Sequence, residues 1–126
     1  MPTLASDSVP QQQTKHIRLR QLRDWIREAT YPDDPQLITE WLHQEQGNPH
    51  SPFDHQWQHY EDQFNLLMDT ISDELLPAHW RCSCLDQIHQ PLRSLSRLSN
   101  DPAARDRVRL LLWELSVTTQ FVRASL

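Results

Sequence analysis

Residues 53–71, FDHQWQHYEDQFNLLMDTI, carry the pattern that decides the fold. Large apolar side chains recur along this stretch at alternating steps of four and three residues: Phe53, Trp57, Tyr60, Phe64, Leu67 and Ile71. Such spacing places them on one side of an α-helix, where they need partners along the whole length of the helix. The stretch therefore predicts a long amphipathic helix inside a helical bundle.

The amino-acid composition also favours helices. The chain has 126 residues, 37% of them hydrophobic, with five tryptophans and a single glycine, Gly47. Tight hairpins and phosphate-cradling loops usually need glycine at several positions, so the composition argues against both. The length suits one domain with its own core.

Other segments repeat the helical spacing. We predict a first helix from Thr14 to about Thr30 and a short second helix that ends at a left-handed Gly47. The side chains expected on their inward sides are, for the first, Ile17, Leu22, Ile26 and Ala29, and for the second, Leu37, Ile38, Trp41 and Leu42. Pro91 interrupts a fourth segment and predicts a kink or break near Gln90. Three further pairs predict helix starts by a capping side chain followed by proline: Asp34-Pro35, Ser51-Pro52 and Asp101-Pro102. The predicted fold is all-α, an antiparallel bundle of four long helices plus one short helix over residues 14–126, preceded by a disordered tail over residues 1–13.

Charge is sorted along the chain in a basic, acidic, basic order. No Lys or Arg lies between Arg27 and Arg81, an interval that holds eleven acidic residues. The simplest interpretation is that the terminal helices pair their basic faces with the acidic middle helices. The functional interpretation is an acidic ridge on the third helix that binds a basic protein surface. We define this acidic ridge as Glu61, Asp62, Asp69 and Asp73.

The last helix has more apolar residues than one core-facing stripe requires. Leu112, Trp113 and Phe121 extend its apolar face beyond the residues with core spacing. A helix of this kind is either central in its bundle or shared with a second subunit. These three residues therefore predict a contact with a partner helix or a homodimer interface.

Histidine and cysteine side chains are concentrated in the middle of the chain and suggest a metal site as the first alternative. The candidate ligands of a metal-binding or metal-sensing bundle are His55, His59, His79, Cys82 and His89. A rotation of ~100° per residue turns them away from the shared core, so they would converge only between subunits. The same rotation turns Cys84 into the core.

A histidine phosphotransfer module is the second alternative. Residues 89–95, HQPLRSL, resemble the phosphate-accepting segment of helical phosphotransfer domains, where an exposed histidine precedes a leucine and a basic residue. Here Leu92 and Arg93 come one position later than in that pattern, and Pro91 intervenes.

The sequence as a whole favours a non-enzymatic protein–protein interaction module, a small regulator, adaptor or chaperone-like subunit. No nucleophile or paired-carboxylate motif indicates an enzyme, and no cofactor is expected. No apolar run approaches the ~18 residues of a membrane span. The acidic ridge argues against a nucleic-acid partner. The Arg- and Gln-rich composition suggests a bacterial protein, and we expect it in the cytoplasm.

Overall fold

The structure, a computed structural model, describes the backbone of residues 3–125 and the side chains of residues 15–124. Within these limits the chain is all-helical and contains no strand, which confirms the predicted fold class. The helical segments are α1 (Thr3–Glu28), α2 (Gln36–Gln44), α3 (Phe53–Ser72), α4 (Ala78–Gln87), α5 (His89–Leu98) and α6 (Pro102–Ser125).

The first helix differs from its predicted extent. α1 begins at Thr3, not at Thr14. The side chains before Lys15 lie outside the described residues, and the disordered tail over 1–13 stays a prediction. Ile17, expected on the inward side of this helix, is 62% exposed, whereas Leu22 and Ile26 are fully buried. The core contact of α1 therefore lies in its second half.

α3 is the central element of the fold. It packs against α1, α4, α5 and α6. Trp57, Phe64, Leu67 and Ile71 are all buried, which confirms the middle of the predicted seam. At the start of the helix, Phe53 is exposed because no other helix covers the first turn on that side.

The prediction for the short helix α2 is confirmed on its buried side and is wrong at its end. Its buried residues are those predicted: Leu37, Ile38, Trp41 and Leu42. Gly47 does not have a positive φ. Instead, its N–H donates to Tyr60 Oη at 3.1 Å, and a Cβ at this position would lie 3.0 Å from that oxygen. Gly47 is needed for a close approach and not for a left-handed turn.

The left-handed residue that ends a helix is Ala29, with a φ of 53°. The Thr30 N–H donates to the carbonyl of Trp25 at 3.0 Å, and the Ala29 N–H donates to that of Ile26 at 3.3 Å. These two bonds form a Schellman motif, in which glycine usually occupies the position of Ala29. An alanine in this conformation costs about 1–2 kcal/mol.

One of the three predicted helix starts is confirmed by a capping bond. Asp101 Oδ1 accepts from the Ala104 N–H at 2.7 Å at the beginning of α6. Neither Asp34 nor Ser51 caps a helix, because the residues at the N-caps of α2 and α3 are prolines and no side chain bonds there. A proline at the N-cap shifts the helix start by one residue and leaves the predicted capping side chain outside reach.

The predicted fourth helix is assigned as two segments that meet at Ile88. The backbone of Ile88 stays right-handed, with φ −65° and ψ −19°. Pro91 is buried in the first turn of α5, where a missing N–H leaves no intrahelical bond unmade. The kink at Gln90 stays a prediction.

α4 closes the ends of two other helices. Trp80 Nε1–H donates to the carbonyl of Ile26 at the end of α1, at 2.8 Å. Arg81 Nε–H donates to the carbonyl of Ile71 at the end of α3, also at 2.8 Å. Both side chains are buried. Arg81 satisfies a carbonyl at the end of α3, and Trp80 adds a second hydrogen bond to the Ile26 carbonyl, which already accepts from the Ala29 N–H.

Candidate interaction surfaces

The outer face of α6 carries an exposed apolar stripe. Its inner face packs on α3 and α5 and buries Ala104, Val108 and Val122. We define the α6 stripe as Leu110, Trp113, Val117 and Phe121. Leu110 is 64%, Trp113 66% and Phe121 74% exposed, and Val117 is half-buried. At ~100° per residue these four side chains lie within an arc of ~80° that faces away from the core.

The stripe differs from the trio predicted from sequence. Leu112 is exposed, but helical rotation places it ~100° from Trp113 and ~180° from Phe121. The structure therefore brings Trp113 and Phe121 together and leaves Leu112 on another flank. The sequence signal that would have found the stripe is the 3, 4, 4 spacing from Leu110 to Phe121.

A polar junction joins α6 to α3. Glu61 on α3 accepts from the Trp57 indole N–H at 2.5 Å and from the Arg107 guanidinium at 3.0 Å. The same guanidinium lies over the Trp57 ring, 4.6 Å from its centroid. Because Trp57 is buried, this junction connects α6 to the core.

Two carboxylates of the acidic ridge are held in ion pairs and two are not, although Asp62 Oδ1 accepts from Gln58 Nε2 at 2.7 Å. Asp62 and Asp69 are exposed on α3. Glu61 pairs with Arg107, and Asp73 pairs with Arg27 at 2.8 Å. The hydrogen bond from Arg27, together with one from the backbone of Leu75, lowers the pKa of Asp73. Half of the predicted ridge is therefore neutralised within the chain.

Ion pairs join the basic residues of α1 to the acidic middle of the chain. The pairs are Arg18–Glu40, Arg23–Glu45 and Arg27–Asp73. The basic–acidic–basic order thus corresponds, for these residues, to contacts between neighbouring helices. Glu45 is buried, and sequence alone did not distinguish it from the exposed acids around it.

His59 is half-buried and bonds to the residue that ends α2, instead of facing solvent as predicted. Its Nε2 donates to the carbonyl oxygen of Glu45, which also accepts from Gln63 Nε2 at 2.6 Å. Burial lowers the pKa of His59, the nearby Arg23 lowers it further, and Asp62 opposes the shift. The role of His59 in the fold is to hold the end of α2 on α3.

The structure does not bring the candidate metal ligands together. His55 is exposed, His79 bonds to Asp33 at 3.1 Å, and His89 Nδ1 bonds to the carbonyl of Asp86. Among the described residues no three His, Cys, Asp or Glu side chains are grouped closely enough to hold a metal ion. Cys82 is half-buried. A site between subunits stays a hypothesis.

Cys84 lies in the core, as predicted. It is fully buried beside the other residues of the main cluster. Burial raises the pKa of its thiol to about 12, so it stays protonated and unreactive.

His89, the candidate phosphate acceptor, is exposed at the first residue of α5. Its position leaves the phosphotransfer alternative as a hypothesis.

No protein-family model, curated protein or solved structure matches this chain. In the part of the chain that the structure covers, none of the helices is both long and apolar enough to cross a bilayer.

Proposed function

We propose that this chain is a non-enzymatic protein–protein interaction module, a small cytoplasmic regulator, adaptor or chaperone-like subunit of bacterial type. The proposal takes its scaffold to be an antiparallel bundle of four long helices and one short helix. The observation that carries it is the α6 stripe, because a contiguous apolar face on a soluble domain indicates a contact surface.

The position of α6 in the fold supports this interpretation. The apolar residues of the last helix were compatible with a central helix or with one shared between subunits. The centre of the fold is α3, and α6 lies on one side of it. The surplus apolar side chains therefore have no internal role to explain them.

We propose a second copy of this chain as the occupant of the stripe. The stripe extends ~16 Å along the helix axis, and a twofold pairing places the same residues on both sides. In an antiparallel pairing about the middle of the stripe, Trp113 of one copy packs near Val117 of the other.

The second surface of the proposal is acidic. Asp62 and Asp69 are the members of the acidic ridge that carry no ion pair to the rest of the described chain. We propose that these two carboxylates steer a basic protein partner, since exposed charges affect encounter rate and partner choice more than affinity.

Light scattering over a range of concentrations tests the homodimer. We expect the wild-type mass to rise toward that of a dimer with concentration and Trp113→Glu to remain a monomer. The matched control is Ile17→Glu, because Ile17 is a 62% exposed apolar residue on a different helix, α1. This control variant should dimerise like the wild type.

Far-UV circular dichroism of each variant shows whether the helices are retained. A wild-type mass that stays monomeric up to millimolar concentration contradicts the homodimer. Equal loss of dimer in Trp113→Glu and Ile17→Glu also contradicts it, because the contact would then not depend on the stripe.

A further inference from the structure

A polar pocket of about 370 Å³ lies between the end of α2, the middle of α3 and α5. Three of its lining residues, His89, Arg93 and Arg97, follow one another at steps of four along α5. This spacing places all three on the same side of the helix. None of the residues that line the pocket carries a carboxylate.

The two arginines of the pocket differ from most others in the chain. Arg18, Arg23, Arg27, Arg107 and Arg109 are held in ion pairs, and Arg81 is buried against a carbonyl. Neither Arg93 nor Arg97 takes part in any ion pair of the described residues. Both are exposed, so their guanidinium groups are available to a ligand.

Neutral donors complete the lining of the pocket. Ser94 and Tyr60, which carry hydroxyl groups, line it, and Tyr60 Oη already accepts from the Gly47 N–H. The phenol proton of Tyr60 is therefore left to donate. His89 Nδ1 carries a proton, because its partner, the carbonyl of Asp86, can only accept. His89 Nε2 remains for a ligand.

We propose that this pocket binds a phosphate group, held by the guanidinium groups of Arg93 and Arg97 and by the hydroxyl groups beside them. Planar guanidinium groups match the oxygens of a phosphate, and two of them compensate its double negative charge. The volume leaves room for a small organic group next to Leu42, so the expected ligand is a small phosphate monoester. The binding is non-covalent and does not depend on the dimer.

Titration calorimetry with inorganic phosphate and with phenyl phosphate tests this site on the full chain. We expect both to bind, and phenyl phosphate to bind more tightly if the organic group enters the pocket. If the two bind equally, free phosphate is the ligand. The double variant Arg93→Gln, Arg97→Gln should weaken binding by about tenfold or more, as expected for the loss of charged hydrogen bonds.

The matched control is Arg105→Gln, Arg109→Gln, which removes two exposed arginines at the same spacing from α6, outside the pocket. It should bind phosphate like the wild type, and so should the monomeric Trp113→Glu variant. Absence of phosphate binding at millimolar concentration overturns the proposal. Equal weakening in both double variants also overturns it, because binding would then reflect net charge alone.

Discussion

α1 and α6 both pack on α3, but the side chains that they leave on their outer sides differ in kind. The second half of α1 directs arginines to carboxylates of α2 and of the α3–α4 connection. α6 makes one such contact, between Arg107 and Glu61, and then exposes an apolar stripe. Arg18, Arg23 and Arg27 of α1 therefore have partners within the chain, whereas the α6 stripe has none that covers it.

This difference shows which exposed features carry functional information. Exposed ion pairs contribute only ~0–1 kcal/mol each and are common between neighbouring helices. The basic–acidic–basic order of the sequence is therefore explained in large part by ion pairs between neighbouring helices. The α6 stripe has no such explanation, since Leu110, Trp113 and Phe121 remain mostly exposed to water in the fold.

Two tryptophan substitutions test the contrast between the inner and outer faces of the α6 region. Trp57→Ala should lower the free energy of unfolding by about 3–5 kcal/mol. It removes a buried ring, the hydrogen bond from that ring to Glu61 and the contact of that ring with the Arg107 guanidinium. Trp113→Ala should change it by less than about 0.5 kcal/mol, because that ring is largely exposed.

Chemical denaturation at low protein concentration, where a dimer would be dissociated, measures both values. A large loss of stability in Trp113→Ala under these conditions would show that the stripe belongs to the core of the monomer, and the contrast between α1 and α6 would disappear.

Ala29→Gly tests the end of α1. It should raise the free energy of unfolding, by less than Trp57→Ala lowers it. We expect an increase of about 1 kcal/mol in the free energy of unfolding, since glycine adopts the left-handed conformation without the cost that alanine pays. Thermal denaturation measures the shift. The same substitution at Ala103, which is exposed in a right-handed helical turn of α6, should lower stability instead.

The pH dependence of stability tests the contact between His59 and the Glu45 carbonyl. We expect this to be the smallest change in the free energy of unfolding, because the imidazole is only half-buried. Its pKa in the folded chain is below the ordinary 6.5, so the unfolded chain takes up a proton more readily. The contribution of His59 is therefore fully present above about pH 6.5 and is lost as the pH falls through and below that value.

Denaturation at a series of pH values should show this loss in the wild type and a reduced slope in His59→Gln. Asp73, whose pKa is lowered, acts in a separate window: its contribution is present above the ordinary carboxyl pKa of 3.8 and is lost at lower pH. An unchanged slope between pH 7 and 5 in His59→Gln would contradict the role assigned to His59.

Local periodicity was sufficient for the buried face of α2 but not for the helix ends. Leu37, Ile38, Trp41 and Leu42 were identified because helical spacing alone determines which side chains share a face. The left-handed residue was expected at Gly47, after α2, and is found at Ala29, after α1, where Trp80 bonds to the nearby Ile26 carbonyl. Helix propensity depends on a residue and its near neighbours, so it cannot predict the hydrogen bond between Trp80 and Ile26, which lie 54 residues apart.

The sequence by itself determined that this protein is helical, that α3 has a buried seam, and that Cys84 lies inside. Those properties follow from spacing along one helix. Only the tertiary structure decided that His59 and Glu45 meet, that Glu61 and Asp73 are engaged, and that Arg93 and Arg97 remain unpaired beside His89. Each depends on how neighbouring helices are placed and rotated, and that is set by the packing of the whole core.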